Sequence, residues 1–311
     1  MNPTKNIGVF YYSQTGQLKE LVDKCLDSLP PEVEIDYFRI VSKKEFPFPW
    51  ESIQFFDAMP ECVMEEGVEV VIEQYTHIKK YDLIILAFQP WFLHPSLPIS
   101  GFMQSKQAPN IFQGSKVLTI IGARNMWLNA LEKIKSYLNQ WQVNHVGNIA
   151  FVDSSPNLVS TLTIIRWLFK GRKEASRFLP KAGIQDPEFT KAPEYGKLIG
   201  KALMEDDWQH LQSQLVDAGA VRLNLGLILL EQTGIKQFRQ WAVRIKKRGN
   251  PGALERIPMV RIFKNFLIFG IFVMSPIKAI ISKIMVFANR KSLATDLIYF
   301  KSVNYIENKF K

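Results

Sequence analysis

The chain has 311 residues, of which 47% are hydrophobic and 22% charged, the composition of a globular protein with a sizeable core. Its two cysteines, Cys25 and Cys62, lie in no CxxC spacing and its four histidines are scattered, which argues against a disulfide scaffold and a metal site. The net charge of +10 is uneven: residues 1–209 carry 22 Lys+Arg and 24 Asp+Glu, whereas residues 210–311 carry 17 and 5. The last third is therefore a basic segment suited to an anionic partner.

Five short segments of the first half predict β-strands. They cover residues 7–12, 33–39, 81–88, 116–122 and 147–152. Several are almost continuously apolar, which is typical of parallel strands covered on both faces. Helical patterns separate the strands over residues 17–28, 61–80 and 125–141. The alternation predicts an α/β fold with a doubly wound parallel sheet, and five strands fit the flavodoxin-like order better than a six-stranded dinucleotide sheet.

The chain beyond the sheet is predicted to be helical. We expect a helix over residues 156–169 with Ser155 as its N-cap, a loop over residues 183–193, and a long amphipathic helix over residues 193–217.

Residues 262–287 form a very apolar segment interrupted by three lysines. Its longest run without a charge, residues 265–277, has thirteen residues, whereas a membrane-spanning helix needs about 20. Basic clusters at residues 244–248 and 290–291 flank it, as in a helix that lies at a membrane interface. We expect contact with an anionic membrane surface, with packing on the body as a helical pair as the alternative. Nucleic acid is not an expected partner, because the basic residues are interleaved with a long apolar run.

No secretory signal is visible, because the first apolar stretch has only six residues and runs straight into polar ones. The expected location is the cytoplasm, with peripheral attachment to the inner face of the cytoplasmic membrane through the basic segment.

A polar loop joins the first strand to the first helix. It consists of Ser13, Gln14, Thr15, Gly16 and Gln17, followed by Leu18. Backbone N–H groups at a helix N-terminus favour an anion, hydroxyls add donors, and glycine allows close approach. The chain has neither GxGxxG nor GxxxxGK[ST] here, so the loop resembles the FMN-phosphate loop of flavodoxins rather than a dinucleotide or P-loop site. Leu18 stands where flavodoxins usually carry a second threonine, and an ordinary capped turn is the alternative.

Two further loops are candidates for the flavin ring, because ligands of open α/β sheets lie beyond the carboxyl ends of the strands. The residues assigned to cofactor binding are Gln89, Pro90, Trp91, Phe92 and Leu93 after the third strand and Gly122, Ala123, Arg124 and Asn125 after the fourth. The aromatic side chains suit stacking on the ring, with plain packing as the alternative. Arg124 and Asn125 suit donation to its electron-rich edge. We therefore expect an FMN-binding domain over residues 1–218 and a basic, apolar helical extension over residues 219–311.

Longer blocks of the sequence resemble one family. They read FYYSQTGQL (10–18), EFPFPWESIQFFDAMPECV (45–63), FQPWFLHPSLPISGFM (88–103) and GARNMWLNALEKIK (122–135), and a fifth block, residues 153–171, ends in PNLVSTLTIIRWLFKG. These blocks are similar to the dialkylresorcinol-forming aromatases, which accompany a ketosynthase. The resemblance implies an FMN-dependent oxidoreductase that converts a 2,5-dialkylcyclohexane-1,3-dione into a 2,5-dialkylresorcinol, as in flexirubin-type pigment formation, with the ketosynthase-like enzyme supplying the dione.

For this reaction, His94 is the candidate base, as the one histidine in the predicted flavin loops, and Arg124 is the candidate for holding the dione oxygens. Trp50 and Trp127 are assigned to the substrate. A loop histidine bonded to the backbone and simple loop packing of Trp50 are the alternatives.

Two other functions stay open at this stage. One is an NAD(P)H-dependent quinone or flavin reductase of the same fold, and the other is a non-enzymatic lipid-binding or scaffold module that has lost its flavin. Flavodoxin-like reductases commonly pair, so a homodimer is among the expected assemblies.

Overall fold

The computed structural model describes residues 4–76, 79–274 and 290–309. Its strands in chain order are β1 (Lys5–Tyr11), β2 (Val33–Ser42), β3 (Val70–Ile72), β4 (Leu83–Phe88), β5 (Pro90–Trp91), β6 (His94–Pro95), β7 (Lys116–Ala123) and β8 (Asn144–Val152). The main sheet has the order β3-β2-β1-β4-β7-β8. Its five parallel strands follow the flavodoxin-like order, which confirms the predicted fold class.

The helices of the body are α1 (Gln17–Leu26), α2 (Ser52–Asp57), α3 (Met59–Val63), α4 (Leu97–Met103), α5 (Gln107–Phe112), α6 (Leu128–Gln140), α7 (Asn157–Lys170), α8 (Asp186–Glu205) and α9 (Leu211–Asp217). They cover both faces of the sheet because successive strand residues point to opposite sides. On β4, Leu83, Ile85 and Ala87 pack with α1, α8 and α9. Ile84, Leu86 and Phe88 pack with α4, α5 and α6. The sheet is therefore buried on both faces, as its apolar strands require.

The helix predicted over residues 61–80 is wrong. Helix α3 ends at Val63, and residues 70–72 form β3, which pairs antiparallel with the end of β2. The run Val70-Val71-Ile72 is β-branched throughout and fits an edge strand. Gly67, between α3 and β3, lies so close to the Gly101 backbone that a Cβ there would come within 2.5 Å of it, so this approach requires glycine. The end of the predicted helix includes residues 77–78, which lie outside the described part.

The predicted loop over residues 183–193 and the helix over 193–217 are wrong in their boundaries. Helix α8 starts at Asp186 with Pro187 in its first turn. The missing N–H of proline costs no helix hydrogen bond at this position, because the first N–H groups of a helix have no partner within it. Asp186 and Glu188 place negative charge at the same helix end. The helix stops at Asp206, whose backbone is left-handed, and α9 follows. Residues 156–169 are helical nearly as predicted, but Pro156 rather than Ser155 is the N-cap of α7.

The extension begins with α10 (Leu225–Lys246) and α11 (Ile257–Phe269), and a π-helical turn, Gly270–Met274, continues α11. A last helix, α12 (Arg290–Lys301), follows. Phe238 of α10 and Phe263 of α11 share an apolar cluster with Phe56 and Met59 of the body, and Tyr299 and Phe300 of α12 enter the core beside α6. Phe263 and Leu267 of the apolar segment thus pack on the body, and residues 275–289 lie outside the described part. The division at residue 218 stays a prediction.

Among the described residues, no helix is both long and apolar enough to cross a lipid bilayer.

Candidate functional site

The loop between β1 and α1 lies at the carboxyl edge of the sheet. It has hydrogen-bond donors that no described residue satisfies. The Ser13 hydroxyl is buried and has no hydrogen-bond partner among the described residues. Gly16 is the N-cap of α1 with φ 83°, and no side chain of the described chain caps this helix end. Because buried polar groups and helix N-termini are normally satisfied, these donors fit an oxyanion such as a phosphate.

The side chains of Gln17 and Leu18 are turned away from that anion position. The Gln17 amide donates to the Ile184 carbonyl at 3.0 Å and accepts from the Ile184 N–H at 2.9 Å. Leu18 is 3% exposed in the core, and its side chain packs on the α-carbon side of Gly122. These two residues therefore contribute backbone N–H groups to the loop, while their side chains tie α1 to the sheet and to the segment before α8.

A cavity of about 220 Å³ opens beside the loop. It is lined by Gln14, Thr15, Gln17, Leu18, Trp50, Phe55, Gln89, Pro90, Trp91, Phe92, Gly122, Ala123, Arg124, Asp153, Ile164, Trp167, Leu168, Gly183 and Ile184. The predicted loops after the first, third and fourth parallel strands thus converge on one space. The Gln14 N–H donates to the Gln89 side chain at 3.2 Å, which joins the first loop to the second.

Aromatic rings form one wall of this cavity. Trp91 lies edge-on to Trp50 and Phe46 at 5.5 and 5.1 Å between centroids. The indole N–H of Trp50 is buried without a partner among the described residues, so it remains a free donor beside the cavity. Trp167 comes from α7, which sequence reasoning did not connect with the site. Its ring lies against Gly183, where a Cβ would come within 2.7 Å of it.

Arg124 is held at the edge of the cavity by three hydrogen bonds from Nη1. They run to the Asn157 carbonyl and side chain at 3.3 and 2.7 Å and to the Thr161 hydroxyl at 2.9 Å. Burial lowers the pKa of Arg124 to about 10, an effect that the carboxylate of Asp153 opposes. Arg124 therefore stays a cation at neutral pH, in a fixed position suited to an enol or carbonyl oxygen.

Asp153 supplies the one carboxylate among the residues that line the cavity. It follows directly after β8, and its two oxygens accept from the Ser155 N–H at 2.9 Å and the Ser160 hydroxyl at 2.6 Å. Sequence reasoning missed this residue. The signal was its position at the carboxyl end of the fifth parallel strand, the place where site residues of such sheets lie.

His94 is not brought to this cavity. It belongs to the β5–β6 hairpin, is 3% exposed, and its Nδ1 lies 3.0 Å from the Phe92 carbonyl. It borders a separate polar cavity with Glu65 and Lys133. Burial lowers its pKa to about 4, so it is neutral at pH 7. The geometry matches the backbone-bonded alternative, and the assigned role as base gains no support from it.

Three other assigned residues do not line this cavity. Trp127 is buried in the core at the start of α6, whereas Leu93 and Asn125 line an adjoining apolar cavity. Trp50, the other tryptophan assigned to the substrate, lines the cavity beside the phosphate loop.

Comparison with known proteins returns similarities of structure. No family model matches the chain, and no curated protein matches it. A flavoprotein in complex with FMN from Lactobacillus acidophilus NCFM is 18% identical, with 47% of this chain and 91% of that one covered and a TM-score of 0.34. A putative flavoprotein from Bacteroides uniformis ATCC 8492 is 15% identical, with 54% and 99% covered and a TM-score of 0.36.

A flavodoxin from the domain Archaea is 11% identical, with 64% of this chain and 98% of that one covered and a TM-score of 0.34. With TM-scores this low, the flavodoxin-like fold of this chain is established by its own strand order.

Proposed function

We propose that the protein is an FMN-dependent oxidoreductase that oxidises a 2,5-dialkylcyclohexane-1,3-dione to the corresponding resorcinol. The observation that carries the flavin part is the buried Ser13 hydroxyl, which has no partner among the described residues, at a helix N-terminus that no described side chain caps, beside an aromatic-walled cavity. The resemblance of five sequence blocks to the dialkylresorcinol-forming aromatases supports the substrate.

The donor set fits FMN. Ser13, Thr15 and the first N–H groups of α1 would hold a phosphate monoester, and the cavity beside them would hold the ring near Trp91 and Trp167. Such a phosphate needs no second threonine at position 18, because backbone donors are present.

The reaction removes two hydrogens from the dione, one as a proton and one as a hydride, and tautomerisation completes the aromatic ring. FMN supplies the hydride acceptor when bound. Asp153 and Arg124 both line the cavity. In this proposal Asp153 would take the proton next to a ring carbonyl, and Arg124 would hold the carbonyl oxygen as its enol character grows.

The deciding experiment incubates the FMN-loaded protein with a 2,5-dialkylcyclohexane-1,3-dione under air and follows resorcinol formation by mass spectrometry. We expect product from the parent and from His94→Gln, and a loss of at least a hundredfold in rate for Asp153→Asn with FMN still bound. An absence of product from yellow, FMN-loaded protein contradicts the substrate assignment. Equal rates for Asp153→Asn and the parent contradict the proposal that Asp153 is the base.

Two readouts separate the other functions. Fast anaerobic bleaching of the flavin by NADPH supports the quinone or flavin reductase. Colourless purified protein that binds no added FMN supports the non-enzymatic module.

The partner and location belong to the same proposal. A ketosynthase-like enzyme would supply the dione, and an alkylated dione partitions into bilayers, so we propose that the basic extension brings the protein to an anionic membrane surface. The homodimer stays a prediction.

A further inference from the structure

A second cavity lies between the extension and the sheet edge. It has a volume of about 550 Å³, in the range that holds small organic ligands. Its walls are mainly apolar: Leu230 and Phe238 come from α10, and Leu267, Phe269 and Ile271 from α11 and the turn after it.

This cavity adjoins the flavin cavity. Phe55, Pro90, Phe92 and Arg124 line both spaces, so the two share one wall. We call this second cavity the apolar chamber. A ligand whose polar group lies at Arg124 therefore has the apolar chamber beside that group.

One glycine borders open space in the wall of this cavity. Gly270 lines the cavity, and a Cβ there would meet nothing within 4 Å. Gly234 of α10 instead allows a close approach, because a Cβ there would lie 3.0 Å from the Leu93 side chain.

Arg124 is the polar end of the chamber. In the three described hydrogen bonds of Arg124, Nη1 is the donor. A guanidinium carries five N–H donors in all. The donors on Nε and Nη2 are not consumed by these bonds and suit a phenol or enol oxygen.

We propose that this cavity is the alkyl-chain chamber of the protein, and that it binds an amphiphile with a hydroxylated or enolic ring at Arg124 and one linear alkyl chain between α10 and α11. The identity of the ring rests on the proposed function, whereas the chamber itself rests on the lining residues. The extension would then be part of the substrate site.

The test measures binding of 5-alkylresorcinols with methyl, propyl, pentyl and heptyl chains to the FMN-loaded full-length protein by isothermal titration calorimetry. We expect the Kd to fall roughly fourfold for each methylene until the chamber is full, which corresponds to ~0.8 kcal/mol per CH₂. Leu230→Trp fills the chamber and should weaken heptyl binding at least tenfold. Gly270→Leu adds a side chain at a cavity-lining position where a Cβ would meet no atom within 4 Å, and it should act in the same direction.

Gln240→Trp is the matched control, because Gln240 is exposed on α10 and lines neither the flavin cavity nor the chamber. It should bind all four resorcinols like the parent. The proposal that this cavity binds the alkyl chain is overturned by a Kd that is independent of chain length. It is also overturned if Leu230→Trp and Gly270→Leu both bind heptylresorcinol like the parent. If the dione is not oxidised but chain length and Leu230→Trp still govern binding, the proposed function fails and the chamber stands.

Discussion

Leu18 occupies the position in the phosphate loop where flavodoxins usually carry threonine, and its side chain lies in the core between α1 and Gly122. The missing hydroxyl is therefore not a lost ligand contact. The side chain at this position is used for packing, and in the proposed site the phosphate donors would be Ser13, Thr15 and the backbone.

We expect Leu18→Thr to lower the free energy of unfolding by about 2 kcal/mol through lost burial, and to change the Kd for FMN by less than about threefold. Urea denaturation and FMN fluorescence quenching measure the two effects. Leu21→Thr, in the same buried helix face, is the control for the stability loss. Tenfold tighter FMN binding by Leu18→Thr would show that the hydroxyl reaches the phosphate.

Glu231 is a buried carboxyl that joins the extension to the body. Its Oε1 accepts the Asn129 N–H at 2.8 Å at the start of α6. Burial raises its pKa to about 7 from the ordinary 4.5, although the helix N–H groups oppose the shift. The folded protein therefore holds this proton more tightly than the unfolded chain does. The carboxyl stabilises the fold fully below about pH 4.5, and that stabilisation is lost as the pH rises through 7.

We expect the free energy of unfolding of the parent to fall by about 3 kcal/mol between pH 4.5 and pH 7.5 relative to Glu231→Gln. The glutamine keeps the acceptor for the Asn129 N–H but does not titrate. Urea denaturation at four pH values gives the difference curve. The exposed Glu255→Gln is the control and should follow the parent. A difference curve that is flat between these pH values would rule out a raised pKa for the Glu231 carboxyl.

At the scale of elements, a buried ion pair clamps the start of α11 to α2 and α3. Arg256 is completely buried and binds both oxygens of Glu61 at 3.0 Å, with Asp57 at 3.0 Å from Nε. Burial raises the pKa of Asp57, against the pull of Arg256. The clamp fixes the start of α11, one of the two helices that enclose the apolar chamber.

Removal of Arg256 alone should be costly, because it takes the guanidinium from the partly buried Asp57 and leaves the buried Glu61 with Lys246, 3.6 Å away, as its remaining described cation. We expect Arg256→Met to lower the free energy of unfolding by about 3–5 kcal/mol, measured by urea denaturation. The double variant Arg256→Met with Glu61→Gln removes one of the stranded charges and should recover part of this loss. A single-variant loss below about 1 kcal/mol would show that the clamp does not stabilise the fold.

A second element-scale feature is the turn of the β5–β6 hairpin. Phe92 and Leu93 both have positive φ, 47° and 68°, as tight hairpin turns require but bulky residues avoid. The turn places Phe92 in the wall shared by the two cavities and directs His94 into a separate space.

For the whole molecule, the basic extension presents an apolar face. Ile262, Phe266, Phe269 and Val273 follow helical spacing on α11 and its turn, and their exposed fractions are 53%, 38%, 53% and 45%. Arg261 and Lys264 lie on the same helix. This combination is suited to an anionic bilayer surface, and the apolar chamber lies under the same helix.

We expect the protein to float with vesicles that contain anionic lipid and to stay in the soluble fraction with neutral vesicles or high salt. The double variant Ile262→Asp and Val273→Asp should lose at least tenfold in vesicle affinity, because two charges enter the apolar face. Gln113→Asp with Gln140→Asp adds the same charges on exposed positions of the body and should float like the parent. Unchanged flotation of the Ile262→Asp and Val273→Asp double variant would exclude this face as the membrane-binding surface.

The sequence by itself determined the strand alternation and the loop between β1 and α1. Both follow from local patterns, since apolar runs and turn residues act over a few neighbours. The flavodoxin-like sheet order is an inference from the number of strands, and the pairing itself joins segments distant in the chain. Only the tertiary structure decided which loop residues meet. It brings Asp153 and Trp167 to the cavity with Arg124, turns His94 away, and makes residues 70–72 an edge strand. These outcomes depend on which segments distant in the chain pack against one another, and residue spacing does not encode such contacts.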